Sequence, residues 1–136
     1  MRIVIDSNVW ISALVFGGKP RHIFELVITD GWTIIVSEEI FTEVRRTLND
    51  KFDDYVDDFA IFQAVLQPYT TKVQLGSVKV SASRDQDDNR IIETALIGNA
   101  SYIVTGDKDL TIISKYNNIK ILTPTEFLNI DDITAK

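Results

Sequence analysis

The chain has 136 residues and a net charge of −6, from 14 basic and 20 acidic side chains. Apolar residues make up 45% of it, which is enough for a hydrophobic core and excludes general disorder. The absence of cysteine excludes disulfides, thiolate nucleophiles and cysteine-ligated metals. The length fits one domain over residues 1–130 with a tail over residues 131–136, and the lack of a signal peptide or a long apolar span predicts a cytoplasmic protein.

Short apolar segments alternate with amphipathic ones from the first residues onward. In chain order, the pattern predicts a strand at 2–5, a helix capped by Ser7 or Asn8, a helix through 23–28, a strand at 32–36, a helix capped by Ser37 and a helix at 53–66. Residues 73–80 then alternate as strand residues do, with a break at Gly76. The remaining predictions are a polar turn at 84–89, a helix through 91–96, a strand at 102–104, a helix through 110–113, a strand at 119–122 and a short helix after Pro124.

This alternation predicts an α/β fold with a mainly parallel sheet, because parallel strands are joined by crossover connections that usually contain a helix. In such sheets, ligands bind beyond the carboxyl ends of the strands. The residues that directly follow predicted strands are therefore the first candidates for a functional site.

Two aspartates stand in such positions. Asp6 follows the first strand directly, and Asp107 follows the strand at 102–104, with Asp109 close enough in sequence to share its role. Aspartate also caps helices and forms turns, which is the competing explanation for both. That explanation is weaker for Asp6, because Ser7 and Asn8 could cap the helix instead.

Asp88 is a candidate because of its position on a helix. At 100° per residue it lies on the apolar, sheet-facing side, together with Ile91, Ile92, Ala95 and Leu96. A buried carboxylate without a partner is costly, so this position requires a partner or a metal ion. The alternative is a solvated place in the first turn, favoured by the helix dipole. The neighbouring Asp85 and Asp87 suit a turn and a cap.

The helix after Ser37 carries Glu39 and Glu43 beside its apolar face, one turn apart, and periodicity does not choose between them. If such an acid met the three aspartates, each pair of charges at ~4 Å would repel by roughly 4 kcal/mol at an effective dielectric constant of 20. The cluster must then bind cations or stay partly protonated. Oxygen ligands without Cys or His favour Mg²⁺ or Mn²⁺, the usual ions of phosphodiester hydrolysis. Bound cations also make an acidic protein compatible with a nucleic-acid substrate.

These segments resemble the acidic motifs of PIN-domain nucleases, in particular the VapC-like toxins of toxin–antitoxin pairs. Residues 3–9 (IVIDSNV) are similar to the first motif, 37–44 (SEEIFTEV) to the second, 85–95 (DQDDNRIIETA) to the third and 102–110 (YIVTGDKDL) to the fourth. The resemblance favours Glu43 over Glu39 and assigns the catalytic and metal-binding roles to Asp6, Glu43, Asp88 and Asp107. Asn8, Thr105 and Asp109 adjoin them as supporting residues.

The resemblance further implies a three-layer α/β/α sandwich around a mainly parallel sheet. It implies a ribonuclease that uses Mg²⁺ or Mn²⁺ to hydrolyse phosphodiester bonds of single-stranded or structured RNA. A small antitoxin protein and a second copy of the chain are the partners that it implies. Residues 49–83 contain no motif that could be aligned.

Basic residues near the proposed acids are candidates for contacts with RNA phosphates, chiefly Lys19, Arg21 and Arg84. Ordinary surface charge is the competing explanation for each of them. His22 is the only histidine, and a metal-activated water makes a histidine base unnecessary. The Gly17-Gly18 loop lacks the Lys-Ser/Thr ending of a phosphate-binding loop.

Two other functions are open from the sequence. A phosphorelay receiver also combines a parallel sheet with clustered acids, a Thr and a Lys, but it carries an acidic pair after the first strand, where Asp6 is followed by Ser7. A PIN fold without catalytic activity would only bind RNA or a protein, and it would have no reason to keep four mutually repelling acids. DNA is an alternative substrate for an active enzyme.

Overall fold

The computed structural model of the protein describes residues 1–130, so the tail expected over 131–136 lies outside the described residues. The strands are β1 (Arg2–Ile5), β2 (Thr33–Ser37), β3 (Thr70–Val73), β4 (Tyr102–Val104), β5 (Lys115–Tyr116) and β6 (Ile119–Leu122). The helices are α1 (Ser7–Val15), α2 (Gly18–Thr29), α3 (Glu38–Lys51), α4 (Val56–Leu66), α5 (Gln86–Ile97), α6 (Lys108–Thr111) and α7 (Pro124–Leu128), and short 3₁₀ turns flank α4. Within these residues, no helix combines the length and the apolar composition needed to cross a bilayer.

The six strands form one sheet in the order β3-β2-β1-β4-β6-β5, with the helices around it, which confirms the predicted α/β architecture. Every neighbouring pair is parallel except β5 and β6. The central strands β1, β2 and β4 are buried along nearly their whole length. Burial on both faces explains why these strands are continuous apolar runs rather than alternating ones.

Trp10 is the centre of the aromatic core beside the sheet. Its indole N–H donates to the Ile5 carbonyl (2.9 Å), and its ring packs edge-on against Phe24 (centroids 4.7 Å apart) and Phe41 (5.3 Å). A further edge-on contact reaches Phe62 on α4 (5.7 Å). One side chain of α1 thus contacts α2, α3 and α4, which fixes the start of α1, and hence Asp6, against the sheet.

The prediction of a strand over 73–80 is wrong. The strand here is β3, which ends at Val73, and most of the segment from 74 to 85 has no regular structure. β3 is an edge strand defined by its pairing with β2, from Thr70 opposite Ile34 to Val73 opposite Ser37. This pairing joins residues far apart in sequence, so a local alternation of apolar residues does not reveal it.

Two smaller expectations also differ from the structure. α5 begins at Gln86, inside the stretch predicted as a polar turn, and α6 is one turn that ends at Thr111. Ser37 does stand at the N-cap of α3, but its hydroxyl makes no capping bond and instead accepts from the Thr94 hydroxyl (3.2 Å). That bond joins the start of α3 to α5.

Candidate active site

The carboxyl ends of β1 and β4 lie side by side, because Ile5 is in register with Val104. Asp6 extends this pairing, since its backbone N–H donates to the Val104 carbonyl (2.9 Å). The Asp6 side chain is only 5% exposed and accepts hydrogen bonds from the Thr105 hydroxyl (2.7 Å) and the Ser7 backbone N–H (2.7 Å). The first predicted acid is therefore a buried carboxylate held from two neighbouring strand ends.

Asp6 is also the N-cap of α1, so the expectation that Ser7 or Asn8 would cap this helix is wrong. The backbone of Asp6 is still extended, and its carboxylate accepts from the first helical N–H, that of Ser7. Asn8 instead connects two loops, donating to Asp6 (3.3 Å) and accepting from the Gly106 N–H (3.0 Å). Capping does not exclude a place in a site, because a carboxylate has about four lone-pair positions.

The Thr105 hydroxyl connects Asp6 to the second strand-end acid. Thr105 is fully buried, and its hydroxyl oxygen, which donates to Asp6, accepts from the Asp107 N–H (3.0 Å). Asp107 in turn caps α6 by accepting from the Asp109 N–H (2.9 Å). One hydroxyl thus fixes the spacing between the backbone that carries Asp107 and the carboxylate of Asp6.

Asp88 lies in the first turn of α5 and is 3% exposed, so it does face inward as the helical wheel indicates. Its carboxylate accepts from the Ser83 hydroxyl (3.2 Å). One oxygen each of Asp88, Asp107 and Asp109 lie within 4.8 Å of one another. The structure therefore brings Asp109, a supporting residue in the sequence interpretation, next to two of the four principal acids.

Glu43 lies half-buried on α3 and faces the same cleft as Asp6. Glu39 is exposed and lines a neighbouring groove between α3 and α5 instead. The acidic cleft has a volume of about 190 Å³ and contains all four acids that the resemblance names. These acids are carried by the ends of β1 and β4 and by the helices α3 and α5.

Two further acids line this cleft, Asp85 and Asp87, which the sequence interpretation took only as turn and cap residues. Asp85 does cap α5 by accepting from the Asp87 N–H (2.9 Å), and Asp87 forms an exposed ion pair with Arg90 (2.8 Å). Nothing in the sequence distinguishes a cap that faces solvent from one that faces a site. Ser83, which contacts Asp88, was also missed, because it lies in the segment without a recognisable pattern.

The cleft disfavours negative charge on its carboxylates. Burial raises the pKa of Asp88 to about 7, and the nearby Asp107 carboxylate adds to the effect. Burial also raises the pKa of Asp6, against the opposing hydrogen bonds from Thr105 and Ser7. The pKa of Glu43 is raised mainly by burial and to a smaller extent by the charge of Asp6. Each group would be ionised more easily if a cation were bound among them.

The donor set fits a hard divalent cation. Its members are all carboxylates, the chain contains no cysteine, and the only histidine, His22, lies exposed on α2 with its ring 3.7 Å from Glu25. Mg²⁺ and Mn²⁺ prefer oxygen ligands, whereas zinc and copper sites usually include nitrogen or sulfur. The residues present are therefore suited to Mg²⁺ or Mn²⁺.

The three basic candidates have different surroundings. Arg84 lines a cleft of about 470 Å³ together with Asp85 and Asp109, so it adjoins the acidic site. Lys19 donates to the Thr125 hydroxyl (3.2 Å), near the carboxyl end of β6. Arg21 donates to the carbonyls of Ala13 and Leu14 (3.0 and 3.1 Å), so its guanidinium closes the end of α1 opposite to Asp6.

These features define an α/β protein with an acidic site at the carboxyl edge of its sheet. A sequence model of the PIN domain family matches residues 2–109. An uncharacterized protein of Methanocaldococcus jannaschii is 31% identical over 140 residues, which cover 94% of this chain and 90% of that protein. The fold is also similar to that of a chain in the crystal structure of VapBC2 from Rickettsia felis bound to a DNA fragment from their promoter. The TM-score is 0.65 at 14% sequence identity, and the match covers 90% of this chain and 98% of that chain.

The chain belongs to the PIN domain family. The match spans every element that contributes an acid to the cleft, from β1 to the loop after β4. The resemblance inferred from the four acidic segments is thereby confirmed at the level of the family.

Proposed function

We propose that this chain is a Mg²⁺- or Mn²⁺-dependent endoribonuclease that hydrolyses phosphodiester bonds of single-stranded or structured RNA. The observation that supports this most strongly is the convergence of Asp6, Glu43, Asp88 and Asp107 on one cleft in a PIN domain. Mutually repelling, partly buried carboxylates are costly to the fold, so their joint presence favours a function that uses them. Cation binding with hydrolysis is the function that fits an all-carboxylate donor set.

Divalent ions bound by these acids would neutralise the scissile phosphate and activate a water molecule. The chain's own contribution is to hold the ligands in place. Asp6 is prevented from rotating by the Thr105 hydroxyl and the Ser7 N–H, and Asp107 is held by the Asp109 N–H. Ligands fixed in this way need little rearrangement when the reaction begins.

For the substrate, the adjoining cleft that contains Arg84 is the best-placed basic element. A guanidinium there would bind a phosphate next to the scissile one, without reading the base. Lys19 is a second candidate, since within residues 1–130 its ammonium group is bonded to a hydroxyl and to no carboxylate. Arg21 is the least suited of the three, because its guanidinium already satisfies two carbonyls of α1.

Cleavage of labelled single-stranded and hairpin RNAs tests the activity. We expect cleavage with Mg²⁺ or Mn²⁺. Asp6→Asn and Asp88→Asn should lose cleavage, and their circular dichroism spectra should show that the fold is retained. Asp50→Asn, an exposed aspartate near the end of α3, is the control and should cleave as the wild type does. Cleavage that persists in excess EDTA would contradict metal dependence, and cleavage of DNA in preference to RNA would correct the substrate.

We further propose that the protein is the toxin of a toxin–antitoxin pair and is neutralised by a small partner protein. The similarity in fold to a chain of the VapBC2 complex supports this, as do the VapC-like acidic segments. Expression of the wild type should arrest growth, expression of Asp6→Asn should not, and co-expression of a small protein encoded beside it should restore growth. Light scattering of the purified protein tests for the homodimer that the VapC-like resemblance implies.

The receiver alternative is not supported by the topology. The five parallel strands, taken in chain order, lie in the order 3-2-1-4-5, whereas receivers have the order 2-1-3-4-5. A stable acyl-phosphate after incubation with acetyl phosphate would revive it. A PIN domain that binds RNA without cleaving it would instead show tight binding and no turnover with any divalent metal.

A further inference from the structure

The segment between β3 and α5 is attached to α5 at two points. The Gly76 N–H donates to the Glu93 carboxylate (2.7 Å). Ser83 exchanges two hydrogen bonds with the Asn89 side chain, whose amide oxygen accepts from the Ser83 N–H (2.9 Å) and whose amide nitrogen donates to the Ser83 carbonyl (2.9 Å). Asn89 and Glu93 are 4% and 9% exposed and lie one helical turn apart, so they present neighbouring anchors to this segment.

These anchors place the Ser83 hydroxyl against the first turn of α5. The hydroxyl donates to Asp88 Oδ2 (3.2 Å), and its oxygen accepts from the Asp85 N–H (3.2 Å). With the N–H occupying one lone pair of the oxygen, the hydroxyl hydrogen is oriented toward Asp88. Among residues 1–130, Ser83 is the only recorded hydrogen-bond donor to the Asp88 carboxylate.

We propose that Ser83, held by Asn89, is the positioning residue for Asp88. Its hydrogen bond fixes the rotation of that carboxylate, so that one of its oxygens stays directed toward Asp107 and Asp109. Outer partners of this kind orient metal ligands and affect metal affinity strongly. The inference rests on the proposed function, because it assigns Ser83 a role only if Asp88 binds a divalent cation.

The role is parallel to that of Thr105 at Asp6. Both acids are almost fully buried, and each receives a hydrogen bond from a hydroxyl in a loop outside its own helix. Thr105 belongs to one of the four acidic segments, whereas Ser83 precedes its segment by two residues, outside the resemblance. Only the folded segment from 74 to 85 brings Ser83 to Asp88.

The test is direct Mn²⁺ binding without RNA, measured from the electron paramagnetic resonance signal of the free ion. Ser83→Ala should bind Mn²⁺ about 10–100-fold more weakly than the wild type. Its Tm in EDTA should stay close to that of the wild type, because the Asn89 bonds to the Ser83 backbone remain. Ser83→Thr keeps the hydroxyl and should restore most of the affinity. Ser101→Ala, a half-buried serine before β4 at the opposite edge of the sheet, should bind as the wild type does.

Glu93→Ala distinguishes the effect of the Ser83 hydroxyl on Mn²⁺ affinity from the effect of loosening the whole segment. It removes the hydrogen bond that holds Gly76 and leaves the bonds between Ser83 and Asn89 in place. A smaller loss of affinity than in Ser83→Ala supports the proposal, and an equal loss overturns it. Failure of Ser83→Thr to restore binding also overturns it. If the wild type binds Mn²⁺ and Ser83→Ala binds it equally well, only the positioning role fails. If the wild type binds none, the proposed metal site fails as well.

Discussion

The cost of keeping Asp88 ionised inside the cleft can be measured by replacing it with asparagine. The asparagine side chain would have nearly the same shape, and its amide oxygen can still accept from the Ser83 hydroxyl. The substitution therefore removes the charge while it keeps the packing and the hydrogen bond. We expect Asp88→Asn to abolish the metal-dependent activity and yet, in EDTA, to make the protein more stable at high pH.

The magnitude follows from the pKa. The pKa of Asp88 is about 7 in the folded protein against 3.8 for the free side chain. Between pH ~4 and ~7 the folded protein keeps a proton that the unfolded chain has released, so the free energy of unfolding falls as the pH rises. At ~1.4 kcal/mol per pKa unit, the full penalty above pH 7 is at most about 4.5 kcal/mol. A gain of about 2–4 kcal/mol at pH 8 corresponds to a rise in Tm of roughly 6–16 °C for a domain of this size.

The assay is thermal and urea unfolding of both proteins in EDTA at pH 5 and pH 8, with Asp50→Asn as the matched control. The stabilisation by Asp88→Asn should be large at pH 8 and much smaller at pH 5, whereas Asp50→Asn should stay within about 0.5 kcal/mol at both. The raised pKa values of Asp6 and Glu43 lower the stability at high pH in both proteins, so the difference reports on Asp88 together with its interaction with Asp107. An equal effect at both pH values, or a destabilisation at pH 8, would refute the electrostatic explanation.

Four further outcomes follow from the same geometry. Mn²⁺ at 100 times its Kd should stabilise the wild type by about 2.7 kcal/mol and Asp88→Asn far less, as differential scanning fluorimetry would show. Glu43→Gln should reduce the cleavage rate on the order of 100-fold and Glu39→Gln less than about twofold, and equal losses would count against the assignment of Glu43. Thr105→Val should cost about 1–3 kcal/mol in urea unfolding, because buried Asp6 loses a hydrogen bond; an unchanged midpoint would contradict this. Arg84→Gln should raise KM at constant kcat and reduce the salt dependence of RNA binding by about one charge, and a change in kcat alone would exclude a phosphate contact.

Much of the site could be predicted because its information is local. Asp6 and Asp107 follow apolar strands, and parallel strands bring their carboxyl ends to one edge whatever else the fold does. The inward side of α5 could be computed from 3.6-residue periodicity, and the structure does bury Asp88 there. These conclusions needed only the period of each element and its direction.

The choice between Glu39 and Glu43 could not be made in this way. Both lie near the border of the apolar face of α3, and the angle at which α3 crosses the sheet decides which of them reaches the cleft. Packing sets that angle, with Trp10 against Phe41 as one contact. The resemblance to VapC-like proteins favoured Glu43, and the structure places Glu43 in the cleft.

The acids after the strands were thus determined by the sequence itself, through hydrophobic periodicity and the order of the elements. Their surroundings were decided only by the tertiary structure. The hydroxyls of Thr105 and Ser83, the burial that raises the pKa of Asp88 and the addition of Asp109 to the acidic group all depend on contacts between separate segments. The physical reason is that a carboxylate's charge state and orientation depend on its neighbours in space, which a one-dimensional pattern does not specify.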